Sequence, residues 1–229
     1  MNITVLGTGM VGQTVSKRLV ELGHKVTMGT RNPDSTLSRT EPDRMTGITF
    51  SEWHKANPQV CLVTFSESVK GADLIINATS GFASLEVLEM AGESALDGKV
   101  LLDISNPLDF SKGLPPSLFV CNTDSLGEQI QNRFSGLKVV KSLNTMNAYI
   151  QMNPGLLPGD HNVFISGNDK GAKAIVKDLL ISIGWREQTI IDLGDITSAR
   201  GTEMLLPIWV RLWSTFGNIN FNFHIQQAK

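Results

Sequence analysis

The sequence predicts an α/β protein built on a doubly wound parallel sheet, with a small α/β portion at its C-terminal end. Short β-branched runs alternate with amphipathic stretches through the first half of the chain, the pattern of parallel strands joined by crossover helices. A glycine-rich turn, Gly7-Thr8-Gly9-Met10-Val11-Gly12, follows the first of those runs directly. The length of 229 residues suits one large domain or one domain with a small appendage, since a chain of that size buries a full core.

Taken in order, strands are expected at residues 2–6, 25–29, 60–63, 73–78, 99–103 and 137–143. Between the first two, residues 11–22 place Val11, Val15, Leu19 and Leu22 on one face, which predicts a helix and completes a βαβ unit. Residues 32–57 are polar and are expected as a loop over the sheet edge, with one short helix at 51–57. Beyond Pro154 and Pro158 the pattern predicts a strand at 162–166, a helix at 169–183, a strand at 187–192 and a last helix beginning near Ile196. The run from Met204 to Trp213 is too apolar for a solvated helix, so it belongs to the core or to a subunit interface. Residues 220–225 alternate polar with apolar and read as a terminal strand or an extended packing arm.

Composition excludes several function classes. A net charge of −2 gives no basic field for nucleic acid or for an anionic membrane. The start carries no basic segment followed by a long apolar one, and no apolar run approaches the roughly 18 residues of a membrane span, so a cytoplasmic protein is expected. Cys61 and Cys121 lie far apart in apolar, strand-like contexts and are expected as reduced core residues. His24, His54, His161 and His224 are scattered, which favours surface or packing roles over catalysis or metal binding.

The glycine turn has the G-x-G-x-x-G spacing between a strand and a helix that dinucleotide binding requires, the Rossmann fingerprint. The first glycine permits the tight turn, the second lets the backbone approach a pyrophosphate, and the third brings helix against strand. Gly7, Thr8, Gly9, Met10, Val11 and Gly12 are therefore candidate cofactor residues, the anion meeting free N–H groups at the helix N-terminus. The alternative is a strand-to-helix turn without a ligand. On this reading residues 1–150 form the dinucleotide-binding domain and 151–229 a smaller portion that contributes to the acceptor site.

The end of the second strand selects the cofactor. NAD-binding chains place Asp or Glu there to hold the ribose 2′-hydroxyl, whereas this chain reads Met28-Gly29-Thr30-Arg31-Asn32-Pro33. Arg31 offers a guanidinium fork to a 2′-phosphate, and Thr30 and Asn32 offer hydrogen bonds. NADP(H) is the expected cofactor; an exposed surface arginine is the alternative.

Ligand contacts in such sheets gather at the carboxyl ends of strands. The fourth ends at Ala78-Thr79-Ser80, the fifth at Asn106-Pro107, the sixth at Asn144-Thr145-Met146-Asn147-Ala148. These small, polar ends are candidates for the nicotinamide side of the pocket. No acid or base stands out; Lys141 could protonate a carbonyl, but an edge-of-strand lysine is the favoured reading. Hydride transfer between two rings needs little acid–base help, because the cofactor carries the chemistry and the protein orients it.

These residues resemble the coenzyme F420-dependent NADP oxidoreductase family, which is also similar to the cytosolic reductase domains of the six-transmembrane metalloreductases. The resemblance rests on Val5 to Gly12, Leu22-Gly23-His24-Lys25-Val26, Gly29-Thr30-Arg31, Asp103 to Pro107, Val140 to Thr145, and Asp192-Leu193-Gly194 followed by Ser198-Ala199-Arg200, Glu203 and Leu206-Pro207-Ile208-Trp209. It implies an NADP(H)-dependent oxidoreductase that passes hydride to a small flavin-like ring, with the Asp192 to Glu203 segment walling the acceptor site and a second subunit forming a homodimer. On the residues alone, Arg200 and Glu203 stand at helical spacing for an ion pair. Archaeal members carry His-Thr-x-Pro where this chain has Asn144-Thr145-Met146-Asn147, so FMN and FAD stand beside coenzyme F420 as acceptors. A non-catalytic NADP(H) sensor and a small-substrate dehydrogenase are the competing functions.

Overall fold

The computed structural model describes residues 1–228. Its strands are β1 (Asn2–Leu6), β2 (Lys25–Thr30), β3 (Cys61–Thr64), β4 (Leu74–Asn77), β5 (Val100–Asp103), β6 (Leu108–Asp109), β7 (Ser117–Leu118), β8 (Lys138–Ser142), β9 (Val163–Gly167) and β10 (Ile190–Asp192). The helices are α1 (Met10–Glu21), α2 (Pro33–Leu37), α3 (Phe50–Ala56), α4 (Phe65–Ser68), α5 (Ser84–Ala91), α6 (Glu93–Leu96), α7 (Leu126–Arg133), α8 (Ala148–Met152), α9 (Lys170–Ile183), α10 (Ala199–Met204) and α11 (Leu206–Phe216).

Eight strands form one sheet in the order β10-β9-β8-β5-β4-β1-β2-β3, and β6 and β7 make a separate antiparallel hairpin. From β3 through β8 every pairing is parallel. β9 then runs antiparallel to β8, and β10 parallel to β9. The doubly wound Rossmann sheet is thus extended by two C-terminal strands. Its order reverses between β1 and β4, and a crevice outside the carboxyl ends forms at such a switch point.

Both faces of the sheet are covered, so its strands are apolar on both sides. Successive residues of β1 show this: Val5 enters the cluster with Val15, Leu19 and Ile150 under α1 and α8, while Leu6 enters the one with Phe65, Val87, Leu101 and Ile130 under α4, α5 and α7.

Three expectations change, and the short helix expected near residue 51 is present. The polar stretch after β2 is not all loop: Asn32 caps α2 through Oδ1, which accepts from the Ser35 N–H, and Pro33 occupies the first helical turn, where its missing N–H costs nothing. The helix near residue 51 is α3, closed by a reciprocal Thr49–Glu52 capping box. Cys61 and Cys121 are exposed free thiols, not core residues; Cys61 opens the edge strand β3 and Cys121 lies beyond the hairpin. The strand expected from residue 187 begins only at Ile190, after a single 3₁₀ turn. The C-terminal residues form an extended arm, the Asn162 N–H donating to the Phe223 carbonyl and the Ile225 N–H to Asn162 Oδ1.

Candidate functional site: a cleft at the switch point

The turn between β1 and α1 is held by close backbone packing. Gly7 has φ of 112°, and a Cβ there would stand 2.7 Å from the Ala78 carbonyl oxygen. At Gly12 a Cβ would collide with the Gly7 carbonyl oxygen, whereas at Gly9 it would meet nothing within 4 Å. Gln13 Nε2 donates to the Thr8 carbonyl at 2.9 Å and fixes the loop from behind. The middle glycine therefore faces open space at the N-terminus of a 12-residue helix, where free N–H groups favour an anion. That cradle fits a pyrophosphate.

A cleft of about 260 Å³ opens beside the turn, lined among others by Thr8, Gly9, Thr30, Arg31, Arg39 and Thr79. Gly7, Ala78 and Ser80 also face it, while Phe65, Ala83 and Val87 supply an apolar wall. Met10 lines a neighbouring groove with Gln13 and Tyr149, and Val11, Gly12 and Asn32 stand outside the cleft lining.

At the end of β2, Thr30 is buried with its Oγ1 at 2.7 Å from Thr36 Oγ1. Arg31 Nη2 lies 2.8 Å from Glu86 Oε1 on α5, both side chains exposed. Asn32 Oδ1 is engaged in capping α2. Arg39, which no sequence motif marks, donates to Thr8 Oγ1 at 3.1 Å and to Thr36 Oγ1 at 3.4 Å.

The ends of β4, β5 and β8 are tied together. Asn106 and Asn144 bond reciprocally, Asn106 Nδ2 to the Asn144 carbonyl at 2.8 Å and Asn144 Nδ2 to Asn106 Oδ1 at 3.0 Å. Gly81 packs so tightly on the Asn106 carbonyl that a Cβ has no room. Pro107, whose carbonyl accepts from the Phe119 N–H, and the buried Asn144, Thr145, Met146, Asn147 and Ala148 lie beyond the lining of the cleft. Asn147 caps α8 through Oδ1 and donates to the Ile219 carbonyl of the C-terminal arm.

Lys141 is not at a sheet edge. β8 lies between β5 and β9, and the Lys141 ammonium is wholly buried, 2.8 Å from Asp103 Oδ2, 2.8 Å from Glu203 Oε1 and 2.7 Å from the Ser105 carbonyl. Its three N–H donors are thereby matched by three acceptors. Burial works to lower its pKa, but the charges of Asp103 and Glu203 prevail and raise it. Asp103 Oδ1 accepts from Asn77 Nδ2 and from Ser105 Oγ, and Asn77 Oδ1 accepts from Thr79 Oγ1. The network thus runs from the interior to the cleft wall.

The Arg200–Glu203 pair that helical spacing allows does not form. Arg200 takes Glu128 with two N–H groups, and Glu203 turns inward to Lys141 and accepts from the N–H groups of Leu126 and Gly127. Glu203 clamps the start of α7 in place of facing a ligand.

A parallel sheet in this order with a glycine turn at its switch point is the framework of a dinucleotide-binding Rossmann protein. The family model for the coenzyme F420-dependent NADP oxidoreductases matches residues 2–107. A crystal structure from Arthrobacter sp. FB24, provisionally described as an F420-dependent NADP-reductase, is 54% identical and superposes with a TM-score of 0.93, covering 99% of this chain and all of that one. The chain belongs to the coenzyme F420-dependent NADP oxidoreductase family. Among curated proteins, metalloreductase STEAP3 of Rattus norvegicus is 28% identical over 212 residues, 90% of this chain and 37% of that protein. The chain therefore spans little more than a third of the curated relatives it matches. An imine reductase of Streptomyces aurantiacus, 18% identical with a TM-score of 0.62 over 95% of this chain and 64% of that one, shares the fold. Among the described residues no helix is long and apolar enough to cross a membrane.

Proposed function

We propose that the chain catalyses hydride transfer between NADP(H) and a small flavin-like acceptor, the deazaflavin coenzyme F420, FMN or FAD. The observation that carries the reading is the cleft in which the open face of Gly9 and the Arg31 side chain stand together. When bound, the nicotinamide supplies or receives the hydride. Residues Gly7 to Gly12 hold the pyrophosphate, Thr30, Arg31 and Asn32 the 2′-phosphate side. Ala78, Thr79, Ser80, Asn106, Pro107 and Asn144 to Ala148 set the nicotinamide end. No side chain is assigned an acid or base role, and the buried Lys141 supports this, because its donors are spent on Asp103, Glu203 and Ser105.

The test is stopped-flow oxidation of NADPH, and separately NADH, against FMN, FAD and the deazaflavin coenzyme. Oxidation of NADPH by at least one acceptor, with NADH slower, is the expected result; no turnover with all three removes the enzyme reading. Arg31→Ala is expected to raise KM for NADPH on the order of 10- to 100-fold and to leave NADH nearly unaffected, since one charge-assisted contact is worth about 1.5–3 kcal/mol.

The family likeness and the exposed Ile208, Trp213 and Phe216 of α11 support a homodimer that covers this helix. Sedimentation equilibrium is expected to give twice the chain mass, and Trp213→Glu to give the monomer; a wild-type monomer at micromolar concentration refutes the assembly.

A further inference from the structure

The two guanidinium groups at the cleft are not equivalent. Arg31 is already paired with Glu86. Arg39 has no carboxylate within ion-pairing distance among the described residues, and its partners are neutral hydroxyls, Thr8 Oγ1 and Thr36 Oγ1. Thr8 belongs to the glycine turn, and Thr36 shares a hydrogen bond with Thr30 at the end of β2. Arg39 therefore bridges the phosphate-binding turn and the end of β2, the two places between which the adenosine ribose of a dinucleotide lies in this fold. A guanidinium carries five N–H donors in a planar fork suited to phosphate, and these two hydroxyls leave most of them uncommitted.

We propose that Arg39 is a second determinant, beside Arg31, of preference for the 2′-phosphorylated cofactor, and that Glu86 opposes the share contributed by Arg31. The inference rests on the dinucleotide reading above. A 2′-phosphate reaches Arg39 without breaking an ion pair, whereas it reaches Arg31 only in competition with the Glu86 carboxylate, which also repels it. The 2′-hydroxyl of NADH carries no charge and registers neither residue. Arg39 thus supplies selective attraction that no ion pair competes for, and Glu86 limits what Arg31 supplies beside it.

The experiment is isothermal titration calorimetry of NADPH, NADH, adenosine 2′,5′-bisphosphate and 5′-AMP with the wild type, Arg39→Met, Arg39→Lys and Glu86→Gln. Arg39→Met is expected to weaken NADPH and the bisphosphate by roughly 10- to 100-fold and to leave NADH and 5′-AMP within about twofold, the span of a lost charge-assisted contact. Arg39→Lys, which keeps the charge and loses the fork, recovers part of that loss. Glu86→Gln tightens NADPH and the bisphosphate and not NADH. An unchanged NADPH-to-NADH ratio in Arg39→Met overturns the proposal, as does an equal loss for both cofactors, which marks Arg39 as a strut of the turn. A wild type that binds neither dinucleotide, or prefers NADH, refutes the underlying NADP(H) reading instead.

Discussion

Replacing Lys141 with methionine is expected to lower the free energy of unfolding by about 3–5 kcal/mol, the usual cost of removing one partner from a buried ion pair. The ammonium is wholly buried between Asp103 and Glu203, so its loss leaves two carboxylates facing each other in a medium of low dielectric. Each keeps some support, Asp103 from Asn77 and Ser105, and Glu203 from the N–H groups of Leu126 and Gly127. Neither set supplies a compensating charge. Urea unfolding checks this: the midpoint falls while the slope stays constant. The triple variant Lys141→Met, Asp103→Asn, Glu203→Gln is expected to recover most of the loss, because the cost comes from unpaired charge more than from missing contacts. A single-variant loss below about 1 kcal/mol would contradict a charged, closed cluster.

The pH dependence of that effect has a definite sign. Although burial works against it, the charges of Asp103 and Glu203 hold the folded-state pKa of Lys141 above the ordinary lysine value. Its stabilisation is therefore complete below the unfolded pKa and disappears only as pH rises through the higher folded value. Between roughly pH 6 and 9 the ammonium is charged in both states, so the stability difference between wild type and Lys141→Met contributed by this group stays constant there.

The same residue marks where sequence reading stops. The strands of the parallel sheet were legible because their apolar runs stand between punctuating turns, and the glycine turn was legible because its spacing is fixed by backbone geometry. In the sequence Lys141 reads as an edge lysine because its partners lie 38 residues away at Asp103 and on α10 at Glu203. The Arg200–Glu203 pairing failed for a related reason. An exposed pair at that spacing contributes only about 0.2–0.5 kcal/mol, which a buried ammonium and the α7 amides readily outcompete. Arg31 was found from its position after β2, yet Glu86, 55 residues on, was invisible from it. Arg39 is hidden in a stretch whose polar composition reads as loop, because α2 is a five-residue helix, too short to show a periodicity. Its only signals were the Asn32-Pro33 start and the threonine that follows at position 36.

Gly9→Ala and Gly12→Ala separate the fold's need for glycine from the ligand's. At Gly12 the added methyl collides with the Gly7 carbonyl oxygen, a rigid backbone neighbour, so α1 must move away from the turn. Overpacking of this kind costs typically 1–3 kcal/mol, and Gly12→Ala is expected to lose both thermal stability and NADPH binding. At Gly9 φ is −75° and a methyl meets nothing within 4 Å. Gly9→Ala is therefore expected to unfold at the wild-type temperature within about a degree, since surface changes of this sort stay within about ±0.5 kcal/mol. If the backbone at Gly9 approaches a pyrophosphate, the same methyl falls between them, and NADPH affinity drops by roughly 10- to 100-fold, the equivalent of a clash of about 1–3 kcal/mol. Differential scanning fluorimetry with and without NADPH reads both quantities in one experiment. A Gly9→Ala protein that keeps its full NADPH-induced shift places the pyrophosphate elsewhere, because nothing in the fold alone forbids alanine at that position.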